Sequence, residues 1–123
     1  IQKAKRIRKV MGGGWRQAGY LAAAALYALD NHIDRLQEDH QKAQVLGLAL
    51  QKASFVKEVY PVATNIVIFE VQNRHASQSI TEKFAAQNIK VSPFSKTHIR
   101  MVTHLDFTDI MLEKTLEAIK IIC

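Results

Sequence analysis

Apolar positions in the first part of the chain recur at helical spacing. Residues 2–11 contain no Gly or Pro, and Ala4, Ile7 and Met11 fall on one side, which predicts a helix with cations on its other faces. After three glycines, a second helical stretch begins at about Gln17. It is almost wholly apolar from Leu21 to Leu29, which predicts burial on all sides.

The helical spacing continues to about Lys52. Apolar positions again recur every three or four residues, while Asp39 and Lys42 fall among the polar residues assigned to the far side; His40 lies on the apolar stripe, which favours a core or interface histidine. The pattern permits one long helix or two helices with a bend near Asn31. A continuous helix of ~30 residues would be ~45 Å long, long enough to connect two domains.

The second half of the chain changes to shorter periods. The β-branched and aromatic run Ile66–Phe69 predicts a covered strand, Ile89–Ser92 a short strand, and His98–Leu105 a strand with alternating faces. In the last of these, Ile99, Met101, Thr103 and Leu105 share one face, and His98, Arg100, Val102 and His104 share the other.

Two helices complete this half. Ser79–Glu82 has the form of a capping box, which predicts a helix that ends near Asn88, a residue that tolerates the left-handed conformation of a C-cap. Asp106 or Thr108 is suited to cap a final helix. The apolar stripe of that helix comprises Leu112, Leu116, Ile119 and Ile122, with Thr115 between them.

The order helix, helix, strand, helix, strand, strand, helix predicts an α+β fold, with a small sheet covered by helices on one face. The single cysteine, Cys123, excludes a disulfide framework and a Cys-rich zinc site. The five histidines show no metal-ligand spacing, and no Ser–His–Asp arrangement is evident. The apolar run that begins at Leu21 is far shorter than the ~20 residues that span a bilayer, and no signal peptide is visible, so we expect a cytoplasmic protein.

The positive charge is concentrated at the start of the chain. Of 17 basic and 11 acidic residues, residues 1–16 hold six basic and no acidic ones, so the other 107 residues balance and the net charge of +6 belongs to this segment. Such a segment predicts an anionic partner: a phosphate, a nucleic acid or an acidic surface.

The glycines at positions 12–14 precede Arg16 and the second helix. One interpretation is an anion site, in which exposed backbone amides at a helix start and the Arg16 guanidinium bind a phosphate. The other is structural: the glycines let two helices pack closely, and Arg16 lies in solvent. The pattern matches neither the Walker loop nor the dinucleotide fingerprint, and it leaves both interpretations open.

Arg100 stands on a sheet face where an apolar residue would be expected. Its functional interpretation is a clamp for a carboxylate or a phosphate. The structural interpretation is an edge-strand arginine that reaches solvent, and the residues alone favour it slightly.

The motifs resemble, in order and over nearly the whole chain, the C-terminal third of the low-specificity L-threonine (L-allo-threonine) aldolases. These are pyridoxal-phosphate enzymes of fold type I. The motifs that carry the resemblance are Arg6-Ile-Arg-Lys9, Gly12-Gly-Gly-Trp-Arg-Gln-Ala-Gly19, Arg35-Leu-Gln-Glu-Asp-His40, Thr64-Asn65-Ile-Val and Ile99-Arg-Met-Val-Thr-His-Leu-Asp106.

The resemblance implies a function for the parent enzyme. It would cleave L-threonine or L-allo-threonine to glycine and acetaldehyde, with pyridoxal phosphate as electron sink, and it would be a homo-oligomer, dimer or tetramer, with its active site at a subunit interface. It also implies that Arg100 binds the substrate α-carboxylate, that Arg16 approaches the cofactor phosphate across the interface, and that Lys9 is another basic active-site residue.

One part of the family pattern is missing. The Schiff-base lysine of the family lies in a Ser-Lys-Gly segment, and the nearest strings here are Ser95-Lys96-Thr97 and Gln51-Lys52-Ala53. The resemblance therefore implies a fragment that is inactive alone. Residues 1–28 would be the end of the large domain, and residues 29–123 the connecting helix and the small C-terminal domain.

Two other classes of function compete with this interpretation. A nucleic-acid-binding module would use the basic segment, although Trp15 is its one aromatic residue and no stacking platform accompanies it. A purely structural interaction domain would use the apolar stretch Leu21–Leu29.

Overall fold

The computed structural model describes residues 1–72 and 76–123 and divides the chain into two units, Ile1–Arg35 and Leu36–Cys123. The first unit contains two helices and the second contains three helices and four strands. In chain order, the elements are α1 (Gln2–Val10), α2 (Ala18–His32), α3 (Leu36–Leu50), β1 (Val56–Val59), β2 (Ile66–Val71), α4 (Ala76–Ala86), β3 (Ser92–Pro93), β4 (His98–Val102) and α5 (Asp109–Ile122).

The glycines of the first unit end α1. Gly12 adopts a φ of +82°, its N–H donates to the Lys9 carbonyl at 3.2 Å, and the Gly13 N–H donates to the Arg8 carbonyl at 2.8 Å. These two bonds form a Schellman cap, which satisfies carbonyls that the end of a helix leaves free. A Cβ on Gly13 would lie 2.7 Å from the Arg8 Cγ, so the turn needs a residue without a side chain there.

Helix α2 corrects the prediction that Leu21–Leu29 is buried on all sides. None of its residues is buried: Leu26 is 61% exposed and Leu29 60% exposed. The composition predicted the helix correctly and its burial wrongly, because within the first unit no other element covers an all-apolar helix.

Helices α2 and α3 are separate, which confirms the two-helix alternative and makes the continuous ~30-residue helix wrong. The helix breaks at residues 33–35, two residues beyond Asn31. Asp39, which the helical pattern placed on the far side of α3, is 2% exposed, and its carbonyl accepts a hydrogen bond from the Thr103 hydroxyl at 2.7 Å. His40, on the predicted stripe, is half-buried beside it.

The sheet of the second unit has the strand order β1-β2-β4-β3, and every neighbouring pair is antiparallel. On β2 and β4, one face is buried, with Val67, Phe69, Ile99 and Met101 packed against the core side of the helices. Phe84 of α4 and Ile119 of α5 belong to the same core. The predicted α+β architecture, a small antiparallel sheet with helices on one face, is confirmed.

Several strand boundaries differ from the sequence-based prediction. Strand β1 was missed, and β3 comprises Ser92–Pro93 rather than Ile89–Ser92. Strand β4 ends at Val102 rather than Leu105, because the chain turns there: the Phe107 N–H donates to the His104 carbonyl at 2.8 Å, and Leu105 is 54% exposed.

Helix α4 begins at Ala76, so Ser79 lies inside the helix and the predicted capping box at Ser79–Glu82 is wrong. Its predicted end is confirmed: Asn88 adopts a φ of +60°, and the N–H groups of Asn88 and Ile89 donate to the carbonyls of Ala85 and Phe84. This is a second Schellman cap.

Helix α5 follows its prediction closely. The Thr108 hydroxyl accepts a hydrogen bond from the Met111 N–H at 3.3 Å, which makes Thr108 the N-cap. Thr115, Ile119 and Ile122 are buried, and Leu112 and Leu116 are partly buried against the core. Among the described residues, no helix is both apolar enough and long enough to cross a membrane.

Candidate functional site

Arg100 lies in the middle of β4, on the open face of the sheet. Its backbone pairs with Ile68 of β2 on one side and with Ser92 of β3 on the other. Its chain neighbours Ile99 and Met101 are buried in the core, and because side chains alternate along a strand, the Arg100 side chain is exposed on the opposite face. The predicted strand face of Arg100 is therefore correct, but Arg100 is in a central strand and not at an edge.

The Arg100 guanidinium has no hydrogen-bond or ion-pair partner among residues 1–72 and 76–123. A guanidinium offers a planar pair of N–H donors that matches the two oxygens of a carboxylate. An exposed arginine held on a central strand is thus chemically suited to bind a carboxylate at a defined place.

A polar cluster that the sequence analysis missed surrounds His98, two residues before Arg100 on the same strand. The Tyr60 hydroxyl lies 3.1 Å from the His98 Nε2, and the hydroxyl oxygens of Ser95 and Thr97 lie 2.8 and 2.9 Å from its Nδ1. The Phe94 ring packs at 5.6 Å from the imidazole centroid.

The signal for this cluster was present in the sequence. The alternation of β4 already placed His98 and Arg100 on one face, but the histidine was assessed as a metal ligand alone. Tyr60 directly follows β1. Because β1 was not predicted, the approach of Tyr60 to His98 could not be predicted either.

Within residues 1–72 and 76–123, no three His, Cys, Asp or Glu side chains form a group that could hold a metal ion. His75 lies outside the described residues. His104 lies past the end of β4, where its Nδ1 accepts a hydrogen bond from the Asp106 N–H at 3.3 Å.

Lys9 is near the end of α1 in the first unit. It lines a shallow surface groove together with Gly13, Gly14 and Trp15. Because the glycines carry no side chains, the backbone of this loop is open to an approaching ligand.

Arg16 lies between the glycine loop and α2. The glycines end α1, and residues 15–17 separate them from the first residue of α2, Ala18, so they do not open the second helix directly. Gln17, at φ +48°, is the N-cap and makes no side-chain capping bond, and the first turn of α2 contains no acidic residue. The amides of this helix start and the Arg16 cation are compatible with an anion.

Lys9 and Arg16 belong to the first unit and Arg100 to the second. In the first unit, Lys9 lies beside the glycine loop. In the second unit, Arg100 lies on the open face of the sheet.

Comparison with known proteins adds the family. The family model described as beta-eliminating lyase matches residues 1–74. The chain is 40% identical to the low specificity L-threonine aldolase of Escherichia coli (strain K12) over 106 residues, which are 86% of this chain and 30% of the relative. It is 34% identical to low-specificity L-threonine aldolase 1 of Arabidopsis thaliana over 111 residues, 88% of this chain and 31% of the relative.

The fold matches solved structures of larger enzymes. A C-DES mutant with glycine covalently linked to its PLP cofactor superposes with a TM-score of 0.62 at 20% identity, over 83% of this chain and 28% of that one. The chain is thus a fold type I fragment by its architecture, and it spans about 30% of the length of the curated relatives that it matches.

Proposed function

Because the chain belongs to the beta-eliminating lyase family, we propose that it is the C-terminal portion of a pyridoxal-phosphate-dependent aldolase. This carbon–carbon lyase cleaves L-threonine and L-allo-threonine to glycine and acetaldehyde. The similarity to two low-specificity L-threonine aldolases over 86% and 88% of the chain supports this reaction.

Arg100 binds the substrate α-carboxylate. The observation that carries this assignment is the exposed guanidinium on a central strand, without an ion-pair partner among the described residues. Two parallel N–H···O bonds to the carboxylate fix the orientation of the amino acid as well as its charge. Orientation matters because the bond to be broken must be held in the geometry in which it reacts.

Arg16 and Lys9 bind the cofactor phosphate side of the site. The residues present fit a phosphate: Arg16 precedes a helix start without a side-chain cap or an acidic first turn, and Lys9 lines a groove together with Gly13 and Gly14. When bound, pyridoxal phosphate supplies the electron sink for breaking the Cα–Cβ bond. The basic segment 1–16 then balances phosphate and carboxylate charge rather than binding a nucleic acid.

The Schiff-base lysine comes from outside this sequence, because the 123 residues contain no Ser-Lys-Gly segment. Residues 1–28 complete the large domain of the aldolase, and residues 29–123 supply the connecting segment and the small domain. The enzyme is a cytoplasmic homo-oligomer, dimer or tetramer, in which Arg16 approaches the site of a neighbouring subunit. The chain on its own neither cleaves threonine nor develops the visible absorption of bound pyridoxal phosphate.

The test is the kinetics of Arg100→Ala and Arg100→Lys in the full-length protein that carries this chain, with glycine and acetaldehyde measured as products. We expect Arg100→Ala to lower kcat/KM for L-threonine, chiefly through a higher KM, because a charged pair is lost. The fall should correspond to a loss of about 2–4 kcal/mol in transition-state stabilisation. Arg100→Lys keeps the positive charge but loses the planar pair of N–H donors, so its kcat/KM should lie between those of the unsubstituted enzyme and Arg100→Ala.

The matched control is Lys83→Ala, which removes an exposed cation from α4. It should leave kcat and KM unchanged. Near-normal kinetics of Arg100→Ala would remove Arg100 from the site, and a full-length protein that releases no acetaldehyde from threonine would refute the aldolase proposal itself.

A further inference from the structure

A second pocket opens in the second unit where β3 and β4 diverge. Backbone pairing between these strands stops at Ser92 and Arg100, and residues 89–91 leave the sheet there. The space has a volume of about 400 Å³. This is within the range of small-molecule sites, roughly 300–1,000 Å³.

Part of the pocket wall is apolar. Leu46 of α3 and Met101 of β4 are buried at 2% and 6% exposure. Phe107, just before α5, and Met111, in its first turn, also line the pocket. An alkyl chain placed against these side chains would remove apolar surface from water, which is favourable.

The polar part of the lining contains two lysines beside Gln87, Asn88, His104 and Thr115. Lys90 and Lys114 both line the pocket, and neither has an ion-pair or hydrogen-bond partner among the described residues. Among the described residues that line it, none is Asp or Glu. A carboxylate oxygen of Asp106 lies 4.0 Å from the His104 Nδ1, and the Asp106 side chain is 88% exposed.

We propose that this pocket binds a small amphipathic carboxylate, with the alkyl chain against the apolar walls and the carboxylate between Lys90 and Lys114. The arrangement offers apolar side chains to an alkyl chain and two lysine ammonium groups to one carboxylate. Arg100 is not part of the lining.

The chain carries its own reporters for this binding. Of its three methionines, Met101 and Met111 line the pocket, whereas Met11 follows α1 in the first unit and is 81% exposed. With ¹³C-methyl-labelled methionine, titration of the 123-residue chain with octanoate should shift the Met101 and Met111 methyl resonances saturably and leave the Met11 resonance unchanged.

One uncharged probe and one cationic probe test the role of the carboxylate. Octan-1-ol and octylammonium carry the same chain length, and both should bind more weakly than octanoate. Equal shifts with octan-1-ol, equal shifts at Met11, or no saturable shift at Met101 and Met111 would each overturn the proposal.

The lysines are tested by Lys90→Gln and Lys114→Gln, with Lys120→Gln as the matched control on α5 outside the lining. Each pocket variant should weaken octanoate binding about two- to fivefold, because one exposed charge contact contributes modestly. The double variant should weaken it further and bring it near octan-1-ol. The Met101 resonance without ligand shows whether the double variant is folded. If it is folded and binds octanoate as tightly as the unsubstituted chain, the carboxylate assignment is contradicted.

Discussion

The two units of the chain both contain apolar helices and bury very different amounts of them. In the first unit, α1 and α2 have no buried residue, although α2 is the most apolar helix of the chain. In the second unit, Leu50, Phe69 and Phe84 are completely buried. Apolar composition therefore makes a helix that needs cover, but a core forms only where other elements supply the opposing surface.

The largest expected effect concerns this difference in burial. Phe84→Ala, in the core of the second unit, should lower the free energy of unfolding by about 3–5 kcal/mol, because it removes a ring and leaves a cavity. Tyr20→Ala, at a position that is 83% exposed in the first unit, should change it by less than about 0.5 kcal/mol. Urea unfolding measures both, and equal effects would mean that the first unit contributes to the same core.

A smaller effect is expected from the polar contact that joins α3 to the end of β4. The Thr103 hydroxyl donates to the Asp39 carbonyl at 2.7 Å, and Thr103 is 1% exposed. Thr103→Val keeps the shape but leaves a buried carbonyl with one donor fewer, so we expect a loss of about 1–2 kcal/mol in the free energy of unfolding. Thr64→Val, at an exposed position, is the control and should be nearly neutral; a neutral Thr103→Val would show that the bond adds nothing to stability.

The smallest effect compares one capping motif in the two units. Gly12 and Asn88 both occupy the left-handed position of a Schellman cap. Asn88→Ala should lower the free energy of unfolding by about 1 kcal/mol, because alanine keeps a Cβ in the left-handed conformation and lacks the short polar side chain that makes asparagine tolerant of it. Asn88→Gly should not, because glycine has no Cβ.

Gly12→Ala introduces a Cβ at the left-handed position of the cap in the first unit. It should increase amide exchange in residues 2–10 without moving the midpoint of global unfolding, because α1 is not packed against a core. A shift of the global midpoint would indicate that the two units unfold together.

The sequence predicted best where one local rule determined the outcome. Thr108 caps α5, and Asn88 ends α4, because a hydroxyl at a helix start and a left-handed residue at a helix end act on their own neighbours. The face of Arg100 followed from strand alternation alone, which is equally local.

The failures arose where distant residues decide the outcome or where the local pattern is ambiguous. Asp39 looked like a surface residue of α3, yet the approach of Thr103, 64 residues later, places it in the interior. Strand β1 is four residues long, with Lys57 and Glu58 at its centre and a register irregularity, so its sequence has no clear alternation. The Ser79 box matched a cap by spacing, but the helix had already begun three residues earlier.

The fixed backbone of Arg100 has a consequence for entropy. Hydrogen-bonded neighbours on both sides and buried residues before and after it leave this position little main-chain freedom before any ligand arrives. Binding an anion therefore restricts the rotamers of one long side chain and does not order a loop. The conformational-entropy cost of binding is then about 2 kcal/mol or less. An arginine on a mobile segment would lose backbone freedom as well, and the same pair of hydrogen bonds would yield weaker binding.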